Sequence, residues 1–360
     1  MHRRPQTFEK RILDRLRNSR FHPVFDLLVK TASRFGPLRC DATQAAVLAG
    51  SPRSGTTWVS EVLCMAPEME MIVEPFDSNR NPQIEQRGFT LNTYLPPDAS
   101  HENKRAYVSD LFAGRNLTGR HVHAQAQISS LLQARRFLIK CVRGNRLLPW
   151  IEQNFDVHSI LLLRHPCAVV ASQLKFQGGW DNDLRRRFEA GAIHDRLRQG
   201  LHEGTYPYLP VDLLRTLDER VGGLVGRLQT FEHFLAFKWV GDTLIPLRHP
   251  SRRRYILTYE QFVQDGENQL RKLFSHIGET AVPDDAFDRL HVPSATTQPH
   301  SNVAKGKDPL TTWRRHLTSD QIDDILHFVH DAGIDFYDDE LTPHADELGP
   351  VASHQLLSKE

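Results

Sequence analysis

The chain has 360 residues, and its 45 Lys and Arg against 44 Asp and Glu leave a formal net charge of +1. That balance excludes a general nucleic-acid binder, which carries a dominant basic excess. With 39% hydrophobic residues, the length allows a large core, and one sizeable α/β domain with helical insertions is expected rather than two equal domains. Cys40, Cys64, Cys141 and Cys167 lack metal-type spacing and read as free thiols of a reducing compartment.

From the amino terminus, Met1 to Arg39 is polar and basic around short apolar pieces such as Val24 to Val29, and is expected to be a basic helical arm within residues 1–44. It holds neither a signal-peptide core nor a membrane-spanning stretch, so a soluble cytoplasmic protein with no transmembrane segment is expected. An apolar run, Ala45 to Ala49, reads as the first buried strand, and Thr56 to Met65 has helical spacing. Gly50 and Gly55 between them sit as in G-x-x-x-x-G-K-[ST], a strand, turn and helix that aim backbone N–H groups at an anion. Thr56 and Thr57 stand where a nucleotide triphosphatase needs Lys and Ser or Thr, and the cation lies inside the loop at Arg53. Metal-assisted phosphoryl transfer thereby loses a central part, whereas Arg53 is placed to touch the bridging oxygen of a shorter anhydride.

Further along, Met69 to Val73 is a short apolar strand ending at Glu74, with Pro75 enforcing an extended exit. Pro75 to Ser100 is an irregular insertion, where Phe76, Phe89 and Tyr94 either stack on a ligand or anchor the loop. Phe137 to Val142 carries Lys140, and His158 to Leu163 ends at Arg164, with Pro166 starting a helix. Ser172 lies eight residues after Arg164, about two helical turns on. A polar helical stretch runs from Asp183 to Leu247, broken near Gly204 to Pro210, and its last part around Trp239 is expected to pack on the sheet. Arg254 to Thr258 is a fifth strand, ending at Tyr259-Glu260. Pro283 onward is read as irregular until Ser319 and Asp320 open a final helix to about Ala332, and Gly349 to Glu360 as a loose tail. Alternation of strands and helices favours a parallel sheet flanked by helices, an α/β P-loop-like fold. Arg185 to Arg187 and Arg252 to Arg254 read as solvated faces.

Pro52, Arg53, Ser54, Gly55, Thr56, Thr57 and Trp58 closely resemble the 5′-phosphosulfate loop of the sulfotransferases, enzymes that use 3′-phosphoadenosine-5′-phosphosulfate (PAPS). The resemblance places the domain at residues 45–335, with 336–360 as a carboxy-terminal tail, and is nearest the carbohydrate and bacterial-type members. It implies that Arg164 and Ser172 grip the 3′-phosphate, by a guanidinium fork and a hydroxyl donor. Ser301 to Thr318 resembles the family's late Lys-Gly loop, so Lys305 and Gly306 would complete that clamp. The longer distance to Trp313 leaves Lys305 and Lys307 both open as the cation. Tyr259 would line the nucleotide site, and Trp58 would pack on the adenine or in the core.

The acceptor hydroxyl must lose a proton as the sulfuryl group arrives, which requires a base within hydrogen-bond reach. Cytosolic members place a His two residues after the strand-end Lys; here Val142 occupies that position. Carbohydrate and tyrosylprotein sulfotransferases use a Glu, often as Glu-Pro, and the resemblance carries this role to Glu74, with His121, His123, His158 and His165 as alternatives. Lys140 would be a second cation near the transferring group. PAPS as donor, 3′,5′-ADP as product, no metal and a hydroxyl-bearing acceptor, carbohydrate or small-molecule natural product, are therefore expected. A P-loop small-molecule kinase and a non-catalytic 3′,5′-ADP-binding protein are the competing readings. Oligomeric state, including a homo-oligomer, stays open.

Overall fold

The computed structural model describes residues 22–35, 40–122, 128–175, 179–297 and 308–344. Five parallel strands form one sheet in the order β2-β3-β1-β4-β5. They are β1 (Ala46–Gly50), β2 (Met69–Val73), β3 (Arg136–Cys141), β4 (His158–Leu163) and β5 (Arg254–Thr258). Each is an almost wholly buried apolar run, as strands covered on both faces require. Side chains alternate between two cores. Ala46 and Leu48 of β1 point toward the helices Thr56–Leu63 and Gly266–His276, whereas Val47 and Ala49 point toward Pro166–Lys175 and Phe231–Arg248.

The strand order places β1 between β3, which continues one way to β2, and β4, which continues the other way to β5. The chain therefore reverses direction of winding at β1, and the crevice at its carboxyl end is where such sheets bind ligands. The loop after Gly50 sits at that point.

All five strands lie where the apolar runs put them, within a residue at β1 and β3. Elsewhere the structure corrects the sequence. The first helix stops at Leu63 rather than Met65, because Ser60 and Val62 carbonyls accept the Cys64 N–H in a closing turn. The segment after Pro283 is not irregular: Pro283 caps a helix, Asp284–Leu290, whose first turn carries Asp284 and Asp285 against the helix dipole, and Thr312–Arg315 forms a 3-10 turn. The long helical stretch is divided more often than at Gly204 to Pro210, with breaks after Glu189, Arg220 and Arg227. Phe76 and Phe89 are no acceptor platform. They are 1% and 0% exposed and pack with Tyr107, whose hydroxyl donates to the Pro75 carbonyl at 3.0 Å; Tyr94 is half-buried.

Of the basic arm, His22–Phe35 is a helix, its Phe25, Val29 and Ala32 buried while Leu27 and Val24 face solvent. Residues 1–21 lie outside the described residues. Near the carboxy terminus Phe336 and Tyr337 are buried in the larger core. Cys141 and Cys167 are buried, Cys40 and Cys64 half-buried, and all four are free. No helix among the described residues is long and apolar enough to cross a membrane.

Candidate functional site

Both glycines of the loop answer to steric need. A Cβ on Gly50 would stand 2.8 Å from the Leu162 carbonyl and from the Thr56 methyl, so only glycine lets β1, β4 and the helix converge. Gly55 has φ 95°, and a Cβ there would lie 2.6 Å from the Tyr259 ring. Gly55 has no side chain to cap the helix Thr56–Leu63, so the first-turn N–H groups, which have no intrahelical partner, face the crevice. The loop is tied down on two sides. Ser51 Oγ donates to buried Asp242 at 3.3 Å, and Gln173 Nε2 donates to the Pro52 carbonyl at 3.1 Å.

Arg53 takes φ 76° and Glu74 φ 49°. For such residues the left-handed region costs about 1–2 kcal/mol, and strain of this kind clusters where a side chain must be aimed. Arg53 is aimed across the crevice: its Nε donates to Ser172 Oγ at 3.1 Å. Arg164 Nη1 donates to the Arg53 carbonyl at 2.9 Å, and its guanidinium carbon lies 4.0 Å from the centre of the Tyr259 ring. The structure thus joins Arg53, Arg164, Ser172 and Tyr259 in one cluster. Its backing is rigid: Trp239 Nε1 donates to the Arg164 carbonyl at 3.0 Å, and the His165 N–H donates to Glu260 Oε1 at 3.0 Å. Burial pushes the Glu260 carboxyl up, against the lowering effect of the His165 N–H, of Arg164 and of the Tyr337 hydroxyl. Burial also raises the Tyr259 hydroxyl, which Arg164 pulls back.

Glu74 and Lys140 form the second cluster. Lys140 Nζ lies 2.6 Å from Glu74 Oε1, and the Val142 N–H donates to Oε2 at 2.9 Å. Both residues are buried, at the carboxyl ends of the edge strand β2 and its neighbour β3. The Glu74 N–H donates to the Lys140 carbonyl, and Asn81 Nδ2 to the Glu74 carbonyl. Such a pair is held by geometry as much as by charge, since an unpaired buried ion is strongly unfavourable.

Lys140, Val142, Arg53, Arg164 and Ser172 all line one cavity of about 1180 Å³, with Thr56 and Thr57 at the helix start. Glu74 stands one contact behind this wall, held by Lys140 and Val142. Trp58 is half-buried and lines the cavity, edge-on to Phe262 at 4.7 Å between centroids and to Tyr259 at 5.9 Å. Ser54 is buried, and its hydroxyl has no hydrogen-bond partner among the described residues. Lys305, Gly306, Lys307 and His123 lie outside the described residues.

The other histidines named as bases face elsewhere. His121 is buried, with Nδ1 3.0 Å from the Thr118 N–H, and burial pulls it down to about 4. His165 is likewise depressed to about 4 by burial and stacks on Trp313. His158 starts β4, at the end of the sheet opposite the cavity. Sequence reasoning passed over several groups that do line the cavity, notably Phe262, Lys175, His291 and His316. Phe262 was findable, three residues after Tyr259 on a helix, and so was Lys175, three after Ser172.

A phosphate-type loop at the switch point of a parallel sheet, with Lys140, Arg164 and Lys175 in the same cavity, is an anion-binding site of α/β type. The family described as "Sulfotransferase domain" matches residues 43–332, and the chain belongs to that family. It is a sulfotransferase of α/β architecture. Among solved structures, the sulfotransferase domain of the Synechococcus PCC 7002 olefin synthase is 19% identical, with TM-score 0.40 over 81% of this chain and 95% of that one. Mouse sulfotransferase SULT7A1, complexed with PAP, is 13% identical, with TM-score 0.38 over 83% and 89%. STF9 from Mycobacterium avium is 14% identical, with TM-score 0.38 over 86% and 80%. No curated protein matches the chain. At these scores the assignment rests on the domain match.

Proposed function

We propose that the protein moves the sulfuryl group of PAPS to a hydroxyl of a carbohydrate or small natural product in the cytoplasm and releases 3′,5′-ADP. The observation that carries this reading is the meeting of Arg53, Arg164 and Ser172 at hydrogen-bond distance in one cavity. Arg164 and Ser172 take the 3′-phosphate; the N–H groups of Gly55 to Trp58 take the 5′ end, while the Ser54 hydroxyl is fully buried away from the cavity wall. At about 1180 Å³ the cavity exceeds the usual upper size of a small-ligand site, roughly 1,000 Å³, which leaves room for an acceptor beside the nucleotide.

In the transfer, the acceptor oxygen bonds to sulfur as the sulfur bond to the bridging oxygen breaks. The acceptor proton passes to Lys140 Nζ, which lines the cavity, as Nζ gives up one of its own protons to Glu74 Oε1, 2.6 Å behind it, so that Glu74 is the final base. Lys140 offsets charge on the sulfuryl oxygens, and Arg53 with the loop amides offsets charge growing on the bridging oxygen. Fixed donors of this kind need no reorganisation during the reaction. With Thr56 in place of the triphosphatase lysine, a kinase lacks its β/γ-phosphate cation.

A transfer assay with sulfur-labelled PAPS and a panel of hydroxylated compounds tests the function. Label is expected to move from nucleotide to acceptor, and Arg53→Ala to reduce turnover at least tenfold with an unchanged unfolding midpoint. If 3′,5′-ADP binds but no acceptor is labelled, a nucleotide-binding protein without catalysis is the better description. Full turnover by Arg53→Ala removes Arg53 from the chemistry.

A further inference from the structure

The sequence resemblance supplies the 3′-phosphate with Arg164, Ser172 and a late-loop lysine; the cavity wall offers one more cation. Ala168, Ala171, Ser172 and Lys175 of the helix Pro166–Lys175 all line the cavity. They are spaced i, i+3, i+4 and i+7, which is one helical face. Two alanines keep the upper part of that face low, so a ligand lies close against the helix, and the polar residues follow at its end. Lys175 stands one turn beyond Ser172, solvent-exposed, with no carboxylate in ion-pair reach among the described residues.

Across the same space stand Trp313 and His316, at and just after the 3-10 turn Thr312–Arg315. Desolvation, and behind it Lys175, depresses the His316 imidazole, and both residues line the cavity. The acids that line the cavity, Asp265 and Glu267, come from the junction of the helices Tyr259–Gln264 and Gly266–His276, beside Phe262. A lysine in the last turn of a helix is ordinarily explained by the helix dipole alone. Here it also lines the same cavity as Arg53 and Arg164.

A terminal phosphate carries about −1.5 to −2 charges at neutral pH. Arg164 is one cation, and part of its donor set is committed to the Arg53 and Pro309 carbonyls, with its face against Tyr259. Ser172 is neutral. We infer that Lys175 is a 3′-phosphate-binding residue of this protein, adding a positive charge beside Arg164 and so sharpening the preference for a 3′-phosphorylated adenosine donor. The inference rests on the donor reading given above.

Calorimetric titration of wild type, Lys175→Ala and Lys175→Arg with 3′,5′-ADP and with 5′-AMP separates the two claims. Wild type is expected to prefer 3′,5′-ADP. Lys175→Ala is expected to bind 3′,5′-ADP about tenfold more weakly and 5′-AMP within twofold of wild type, and Lys175→Arg to keep most of the preference. Undiminished 3′,5′-ADP binding by Lys175→Ala, or equal loss for both nucleotides, overturns the role of Lys175 while leaving the donor reading intact. Wild type that does not distinguish the two nucleotides overturns the donor reading and the inference with it.

Discussion

Glu74→Gln is expected to lower turnover about a thousandfold, within the range of general base removal, while 3′,5′-ADP affinity stays within about twofold. The amide keeps an oxygen for the Val142 N–H and nearly the same volume, so the local packing survives. It loses both the charge facing Lys140 and the basic lone pair. Steady-state kinetics with saturating donor, together with nucleotide titration, distinguishes these effects from misfolding, because a collapsed β2 end would disturb the loop and the nucleotide equally. The position also explains the backbone. A glutamate at φ 49° is strained, and five polar contacts fix it: Lys140 Nζ and the Val142 N–H on the carboxylate, the Asn81 amide on its carbonyl, its own N–H on Lys140, and the Asp77 N–H on its carbonyl. Turnover within tenfold of wild type would remove Glu74 from the base role and turn attention to His291 and His316, the histidines on the cavity wall.

Arg164→Ala is expected to weaken 3′,5′-ADP binding about a hundredfold and 5′-AMP binding only several-fold. Loss of a charge-assisted guanidinium fork to phosphate accounts for the first effect. The second arises because Arg164 also braces the Arg53 carbonyl at 2.9 Å and covers Tyr259, so its removal slackens the loop that holds the 5′ end. Ser172→Ala removes a neutral donor and is expected to cost about tenfold, on 3′,5′-ADP alone. Calorimetry that finds equal losses for the two nucleotides would detach both residues from the 3′-phosphate.

The legible part of this protein is the part written in short range. Continuous apolar runs such as Ile160 to Leu163 announce strands covered on both faces, and two glycines around an arginine announce the loop. The sheet order was not legible, because nothing in β2 says that it pairs with β3 rather than β1; that choice belongs to the packing of the connecting helices. Nor was the hydrogen bond between Arg53 and Ser172, which spans 119 positions and follows only once β1 and β4 are neighbours. Phe76 and Phe89 stayed open between platform and anchor because burial of a loop aromatic depends on a distant helix, here the one carrying Tyr107. The helix Asp284–Leu290 was hidden by its seven-residue length, too short for periodicity to stand out. Lys175 was passed over because a lysine at a helix end has a sufficient local explanation, although its i+3 spacing from Ser172 already put the two on one helical face.

One claim underlies the whole account: a single donor nucleotide spans the cavity from the loop at Gly55 to the end of the helix carrying Ser172. A crystal structure of the complex with 3′,5′-ADP tests it most directly. The account predicts the 5′-phosphate on the N–H groups of Gly55 to Trp58 and the 3′-phosphate within hydrogen-bond reach of Arg164 and Ser172. A nucleotide bound with its phosphates exchanged, or away from Arg164 and Ser172, would contradict it.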